Sequence, residues 1–305
     1  MSQTILITGA TGMLGNALTQ ALVSKGYTIN QLSRKNTTST DPDIKTFSWD
    51  VYAGDIDPHC IENVKAIIHL AGENIAARPW TKKRKFDLVE SRTKSIYMIY
   101  DLLRKSKDHH VKTIVSASAV GFYGDRGNTL LTETSIAGTD FLSDVTVQWE
   151  RAVDTGNLLN LRVVKLRSGI VLDKKEGALP QLIKPVKLGF PAALGSGNQW
   201  MPWIHLSDAV NMYIYALENE NMEGAYNMAS PQVVTNEMFM QTLAGIYHKK
   251  WRLPNVPAIT LRILLGKLSE MLLMSTRTSS DKILATGFKF QFTDLKEALE
   301  DVLHK

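Results

Sequence analysis

The stretch that decides the fold is ILITGATGMLG, residues 5–15, near the start of a chain of 305 residues. An apolar run with strand character leads into a turn with glycines at positions 9, 12 and 15, and a helical pattern over 13–24 follows at once. Glycines at this spacing permit a tight turn, close approach of backbone to a pyrophosphate, and packing of helix on strand. The sequence therefore predicts a dinucleotide-binding strand–turn–helix unit.

Free N–H groups at the start of the helix would attract the phosphates. The candidate cofactor contacts in this turn are Gly9, Thr11, Gly12, Met13, Leu14 and Gly15. The alternative is a glycine-rich turn that only connects two elements. The surrounding strand and helix favour the nucleotide site.

Short β-branched runs continue to alternate with helical patterns as far as residues 161–167, including a long helix over 82–105. Such alternation predicts a doubly wound parallel sheet of Rossmann type, with helices on both faces. After Gly169, prolines and glycines crowd the sequence, which indicates long binding loops. Helical character returns over 258–274 and 293–303.

The second strand, 28–33, ends in Ser33-Arg34-Lys35, where an NAD site would place an acidic residue on the ribose hydroxyls. A guanidinium at this position suits a 2′-phosphate, because it can form two charge-assisted hydrogen bonds with it. We therefore predict NADP as cofactor, with Ser33 and Arg34 among its contacts. The alternative is that Arg34 and Lys35 are a solvated loop pair. Asp50, at the end of the third strand, could accept a hydrogen bond from the adenine amino group, or it could be a turn residue.

The composition is that of an ordinary globular protein: 44% of the residues are hydrophobic, and 35 Lys and Arg against 30 Asp and Glu give a net charge of +5. No apolar run approaches the length of a membrane span, and residues 1–10 lack the basic and long apolar regions that we would expect of a secretory signal. Cys60 is the only cysteine, which excludes an intrachain disulfide and a cysteine metal cluster. The basic run 82–85 is best explained as a solvated helix face. We expect a cytoplasmic protein that contacts neither membrane nor nucleic acid and holds no metal. The sequence is compatible with a homodimer and does not decide the oligomeric state.

Several later motifs carry a family resemblance. They are HLAG at 69–72, SASAVGFYG at 116–124 and WIHLSD at 203–208. With the turn at 9–15, these motifs resemble extended short-chain dehydrogenases/reductases. Further motifs resemble the atypical branch of that family, the epimerase family proteins that are similar to NAD-dependent epimerases/dehydratases and nucleoside-diphosphate-sugar epimerases. These are GENI at 72–75, SR at 91–92, WE at 149–150, RSGIVL at 167–172 and GSGNQ at 195–199.

The resemblance implies an NADP-binding Rossmann domain over 1–170 and a smaller C-terminal α/β substrate lobe over most of 171–305. Within that lobe, 251–303 is similar to the small domain of unknown function found in this branch. The resemblance also adds cofactor contacts, with Ser116 and Ser118 flanking the nicotinamide. The added contacts are Leu70, Ala71, Gly72, Ser116 and Arg167.

The catalytic machinery departs from the family pattern. Hydride transfer at a carbonyl needs a proton donor, and the family uses a Tyr with a Lys four residues on, beside a Ser. No tyrosine of this chain has a Lys at that spacing, and Val145 and Trp149 occupy the expected positions. Ser118 and Tyr123 are the remaining catalytic candidates.

Alternatives remain for each of these candidates. Ser116 could take the place of Ser118, and Tyr123 could instead be an aromatic plug in its loop. Glu150 or a substrate hydroxyl could donate the proton. We therefore expect an oxidoreductase or epimerase-like enzyme that binds NADP and an unknown small molecule. The alternatives are a non-catalytic NADP-binding sensor or regulatory protein, and a scaffold that the cofactor stabilises.

Overall fold

The computed structural model describes residues 3–34, 39–106, 108–251 and 253–304. Its main feature is an eight-stranded sheet with the order β12-β8-β6-β5-β1-β2-β3-β4. The strands of the described chain are β1 Thr4–Thr8, β2 Thr28–Ser33, β3 Ile44–Asp50, β4 Asp55–Ile56, β5 Val64–His69, β6 Thr113–Ala119, β7 Leu130–Leu131, β8 Arg162–Ser168, β9 Ile170–Leu172, β10 Trp200–Met201, β11 Trp203–His205, β12 Gly224–Met228, β13 Val234–Thr235 and β14 Arg277–Thr278.

All neighbours in this sheet are parallel except β3 and β4, which are antiparallel. The α-helices are α1 Met13–Ser24, α2 Lys82–Lys105, α3 Phe141–Asp154, α4 Leu179–Lys187, α5 Leu206–Glu218, α6 Asn236–Ile246, α7 Ala258–Leu265, α8 Ser269–Leu273, α9 Asp281–Ala285 and α10 Leu295–His304. None of them combines the length and hydropathy that a membrane span requires.

Helices cover both faces of the sheet, as the sequence predicted. Helices α1 and α5 pack together on one face, and α2 and α3 pack together on the other. The central strands carry buried apolar runs, such as 5–7 in β1 and 66–68 in β5, because both faces of the sheet are covered there. This arrangement confirms the Rossmann-type α/β fold.

The segment after residue 170 divides between two cores. Helix α5 and strand β12 return to the main sheet, where β12 pairs with β8 at its edge. Helices α4, α6 and α10 surround a separate apolar cluster that contains Trp203 and Phe239. The main sheet thus includes chain that lies beyond the domain boundary expected at residue 170.

The C-terminal segment reaches back over the first half of the chain. The helical pattern over 258–274 is interrupted at Gly266, where φ is +56° and a short 3₁₀ turn, Gly266–Leu268, separates α7 from α8. Leu268, Met271 and Met274 pack against an apolar cluster formed by Trp80 with side chains of α2 and α3. This contact places the C-terminal segment beside the amino-terminal ends of α2 and α3.

Candidate functional site

The glycine-rich turn has the geometry that its sequence predicts. Gly9 has φ of +69°, a conformation that glycine adopts without strain. A Cβ at Gly15 would overlap the carbonyl oxygen of Gly9 and lie 2.7 Å from the Cα of Ala10. Helix α1 can therefore begin directly against β1, with Gly12 at its N-cap. Met13 and Leu14 form the first turn of this helix.

A cavity of about 770 Å³ lies at the carboxyl ends of β1, β2, β3 and β5; we call it the strand-end cavity. Ligands bind at this edge of open parallel α/β sheets. The lining residues are Gly9, Thr11, Gly12, Leu32, Ser33, Arg34, Trp49, Val51, Tyr52, Leu70, Ala71, Gly72, Glu73 and Ser91. Eight of the fourteen predicted cofactor contacts are among them, namely Gly9, Thr11, Gly12, Ser33, Arg34, Leu70, Ala71 and Gly72.

Arg34 stands at the end of β2 and is 70% exposed in its side chain. Its guanidinium lies 3.7 Å from the carboxylate of Glu73. Arg84 donates to the other oxygen of the same carboxylate at 3.2 Å. A cation thus occupies the position at which the sequence predicted a contact with a 2′-phosphate. Lys35, which the same prediction considered, lies outside the described residues.

Asp50 organises the turn after β3. Its Oδ1 accepts hydrogen bonds from the backbone N–H groups of Tyr52 at 2.8 Å and Ala53 at 3.0 Å. These hydrogen bonds lower the pKa of the Asp50 carboxyl. The turn brings Val51 and Tyr52 to the wall of the cavity, whereas Asp50 itself is not among the lining residues.

The loop after β5 is fixed by Thr8 at the end of β1. The Thr8 hydroxyl accepts hydrogen bonds from the N–H groups of Leu70 at 3.1 Å and Ala71 at 3.0 Å. Gly72 follows, and a Cβ there would lie 3.2 Å from the Arg92 side chain. The loop therefore presents backbone, rather than side chains, to the cavity at this point.

Ser116 is buried on β6 and contacts a buried histidine. Its hydroxyl lies 3.2 Å from Nδ1 of His69, and Nε2 of His69 lies 2.9 Å from the hydroxyl of Ser95. Burial lowers the pKa of His69 to about 3, so the imidazole is neutral in the folded protein at ordinary pH. Ser116 is not among the residues that line the strand-end cavity.

Ser118, Tyr123, Glu150, Arg167 and Asn227 form one hydrogen-bonded set, which we call the buried network. Arg167 donates from Nε and Nη2 to the two oxygens of Glu150, at 2.8 and 2.9 Å, and from Nη1 to the Tyr123 hydroxyl at 3.0 Å. Ser118 donates to Glu150 at 2.6 Å, and Tyr123 donates to the side-chain oxygen of Asn227 at 2.6 Å. The network connects β6, α3, β8 and β12.

The buried network fixes the protonation of its members. Burial raises the pKa of Tyr123 to about 12 despite the charge of Arg167. Burial also acts to raise the pKa of Glu150, but hydrogen bonds from Arg167 and Ser118 and the positive charge of Arg167 outweigh it, and the pKa falls below its usual value. Glu150 is therefore a carboxylate at neutral pH. The Ser118 and Tyr123 hydroxyls both donate to acceptors within the protein.

Val145 and Trp149, which the sequence predicted to occupy the positions of the family's Tyr and Lys, are buried side chains of α3. The guanidinium of Arg92 lies 5.1 Å from the centroid of the Trp149 ring. Among the residues whose placement is described, no group of His, Cys, Asp and Glu is arranged to hold a metal ion.

Sequence reasoning did not single out several cavity residues. Val51 and Tyr52 reach the wall through the turn that Asp50 holds, and Trp49 reaches it from the end of β3; no local pattern indicates this. Glu73 and Ser91 stand within motifs that carry the family resemblance, which was the available signal.

The model of the NAD-dependent epimerase/dehydratase family matches residues 5–146 and 152–229. The chain belongs to this family. A domain of unknown function matches residues 256–302, which confirms the resemblance that the sequence indicated for the C-terminal segment.

Relatives along nearly the whole length support this membership. An epimerase family protein from Staphylococcus saprophyticus is 35% identical over 305 residues, which cover 98% of this chain and 99% of the relative. A human epimerase family protein crystallised with NADPH is 29% identical, has a TM-score of 0.85, and matches over 99% of both chains.

A nucleoside-diphosphate sugar epimerase from Corynebacterium glutamicum is also 29% identical, with a TM-score of 0.80. The match covers 99% of this chain and 58% of that one. These structures confirm the predicted family and fold.

Proposed function

We propose that the chain binds NADP(H) in the strand-end cavity and acts as an oxidoreductase or epimerase-like enzyme on a small molecule. The observation that carries the proposal is the cation of Arg34 at the end of β2, on the cavity wall. A carboxylate at this position would select NAD, since it would bind ribose hydroxyls and repel a 2′-phosphate. A guanidinium has the reverse preference.

The remainder of the cavity supports the same ligand. The turn at Gly9 and Gly12 offers the start of α1 to a pyrophosphate, and neither glycine has a side chain that would block its approach. Trp49, Val51 and Tyr52 provide apolar surface next to Arg34, as an adenine ring requires. The human relative crystallised with NADPH is similar over 99% of both chains.

The buried network favours a second candidate, a non-catalytic NADP(H)-binding protein. The hydroxyls of Ser118 and Tyr123 already donate hydrogen bonds to Glu150 and Asn227. The high pKa of Tyr123 opposes proton release at neutral pH, and Glu150 has no proton to donate. An enzyme with this arrangement would draw its proton from another group or from the substrate.

Two measurements separate the candidates. Calorimetric titration of the purified chain with NADPH should show binding, and the absence of heat from either nicotinamide coenzyme would contradict both. NADPH consumption is then followed by absorbance with a panel of carbonyl compounds and nucleotide sugars. Turnover of any member supports the enzyme, and binding without turnover of the whole panel supports the non-catalytic protein.

A further inference from the structure

Arg92 is a buried cation with neutral partners. It lies on α2 and is 9% exposed. Its guanidinium donates to the carbonyl oxygen of Leu88 at 2.8 Å and to that of Glu73 at 3.0 Å, and it lies 3.5 Å from the hydroxyl of Ser91. No ion pair joins Arg92 to another residue in the described parts of the chain. Burial lowers its pKa to about 10, which leaves the guanidinium charged at neutral pH.

Trp149 provides a second donor beside this cation. The indole is 7% exposed, and its ring centroid lies 5.1 Å from the guanidinium carbon of Arg92. The buried Nε1–H of Trp149 has no hydrogen-bond partner among the described residues. A buried donor without an acceptor costs free energy, which a bound oxygen atom would recover.

Arg92 lies close to the strand-end cavity, with Trp149 packed beside it. Gly72 lines the cavity, and a Cβ at this position would lie 3.2 Å from both Cγ and Cζ of Arg92. Ser91, the preceding residue on α2, also lines the cavity. The absence of a side chain at Gly72 therefore leaves the guanidinium directly behind the cavity wall.

The surrounding charges leave an excess of cations. The Glu73 carboxylate is shared by Arg84 at 3.2 Å and Arg34 at 3.7 Å, and Arg92 donates to the backbone carbonyl of the same residue at 3.0 Å. A buried charge is stable only when an opposite charge or sufficient hydrogen bonds compensate it. An anion that enters from the cavity would supply the missing charge.

We propose that Arg92 and Trp149 form an oxyanion-binding position at the inner wall of the strand-end cavity, which takes phosphate or carboxylate oxygens. This inference rests on the proposed function, because it assumes that NADP(H) fills the cavity. The oxygens have two sources: the pyrophosphate of the cofactor, or the carboxylate of a small acidic substrate bound beside it.

The test compares four variants with the wild type by calorimetry. Arg92→Met removes the charge and keeps most of the length, Arg92→Lys keeps the charge, and Trp149→Phe removes the N–H while keeping an aromatic ring. Arg104→Met is the matched control, because Arg104 is an exposed cation on the same helix. The probes are NADPH, adenosine 2′,5′-bisphosphate, and oxalate added to NADP-saturated protein. The bisphosphate keeps the 2′-phosphate and the adenosine-side phosphate of NADPH but lacks the nicotinamide-side phosphate and the nicotinamide riboside.

If the pyrophosphate is the source, Arg92→Met should weaken NADPH at least tenfold, and it should weaken the bisphosphate only if the phosphate next to the adenosine is the one bound. If an acidic substrate is the source, NADPH affinity should persist while oxalate binding to the loaded protein falls at least tenfold. In either case Arg92→Lys and Trp149→Phe should show smaller losses, and they keep the test valid if Arg92→Met does not fold.

The position does not exist if all variants bind NADPH and respond to oxalate as the wild type does. It is equally refuted if Arg104→Met matches the loss of Arg92→Met, since the effect would then be one of net charge. Failure of the wild type to bind NADPH would instead refute the proposed function.

Discussion

The strand-end cavity and the buried network lie at the carboxyl ends of neighbouring strands of one sheet, yet they treat polar groups in opposite ways. In the buried network, each hydroxyl and charge has a partner within the protein. At the cavity, the exposed Arg34 shares one carboxylate, that of Glu73, with Arg84, and the buried Arg92 has only neutral partners. Ligand binding is expected where the protein leaves charge uncompensated, and rigidity where it does not.

The largest effect is expected from breaking the buried network. Glu150→Gln should lower the free energy of unfolding by about 3–5 kcal/mol, because Arg167 loses a buried carboxylate partner. NADPH affinity, measured by calorimetry, should stay within a factor of two, since neither residue lines the cavity. A tenfold loss of affinity with little change in stability would place Arg167 at the cofactor, as the sequence predicted.

A smaller effect concerns His69, which lies between the two regions. Its pKa is lowered by burial from 6.5 to about 3, so the unfolded chain binds a proton there below about pH 6.5 and the folded protein does not. Its contribution to stability is therefore complete above that pH and falls by about 1.4 kcal/mol per unit as the pH decreases towards 3.

Denaturant unfolding of the wild type and His69→Gln at pH 7 and pH 5 measures this contribution. Between these pH values, the free energy of unfolding of the wild type should fall by about 2 kcal/mol more than that of His69→Gln. Equal slopes for the two proteins would mean that water reaches the imidazole and that the region is open.

The smallest effect concerns Glu73, which holds Arg34 over the cavity at 3.7 Å. Glu73→Gln should release Arg34 and remove a charge that repels a 2′-phosphate. NADPH affinity should rise two- to fivefold, or about 0.4–1 kcal/mol, the range of an exposed ion pair. NADH affinity should not change. Asp101→Asn, on the exposed face of α2, is the control for net charge. A decrease in NADPH affinity would mean that Glu73 itself binds the cofactor.

The fold was largely predictable because apolar periodicity is a local signal. The strands around the glycine-rich turn and the limits of α2 follow from it. Strand β12, with the sequence GAYNM, was missed because a glycine and an asparagine weaken its strand pattern. Its pairing with β8 is a long-range contact that no neighbouring residue indicates.

The site was predictable where one turn or strand end determines it, as for Gly9 and Arg34. It was not predictable where distant segments meet. The hydrogen bond between Ser118 and Glu150 joins residues 32 apart, and that between Tyr123 and Asn227 joins residues 104 apart. The pKa values of these groups depend on burial and on Arg167, so their chemistry could not be read from residue type alone.

The central claim is that Arg34 selects the 2′-phosphate, and a coenzyme titration of the wild type, Arg34→Gln and the control Arg104→Gln tests it most directly. The wild type should bind NADPH at least tenfold more tightly than NADH, which corresponds to about 1.4 kcal/mol. Arg34→Gln should lose that preference through weaker NADPH binding alone, while Arg104→Gln keeps it. Equal affinities of the wild type for the two coenzymes, or an unchanged preference in Arg34→Gln, would contradict the claim.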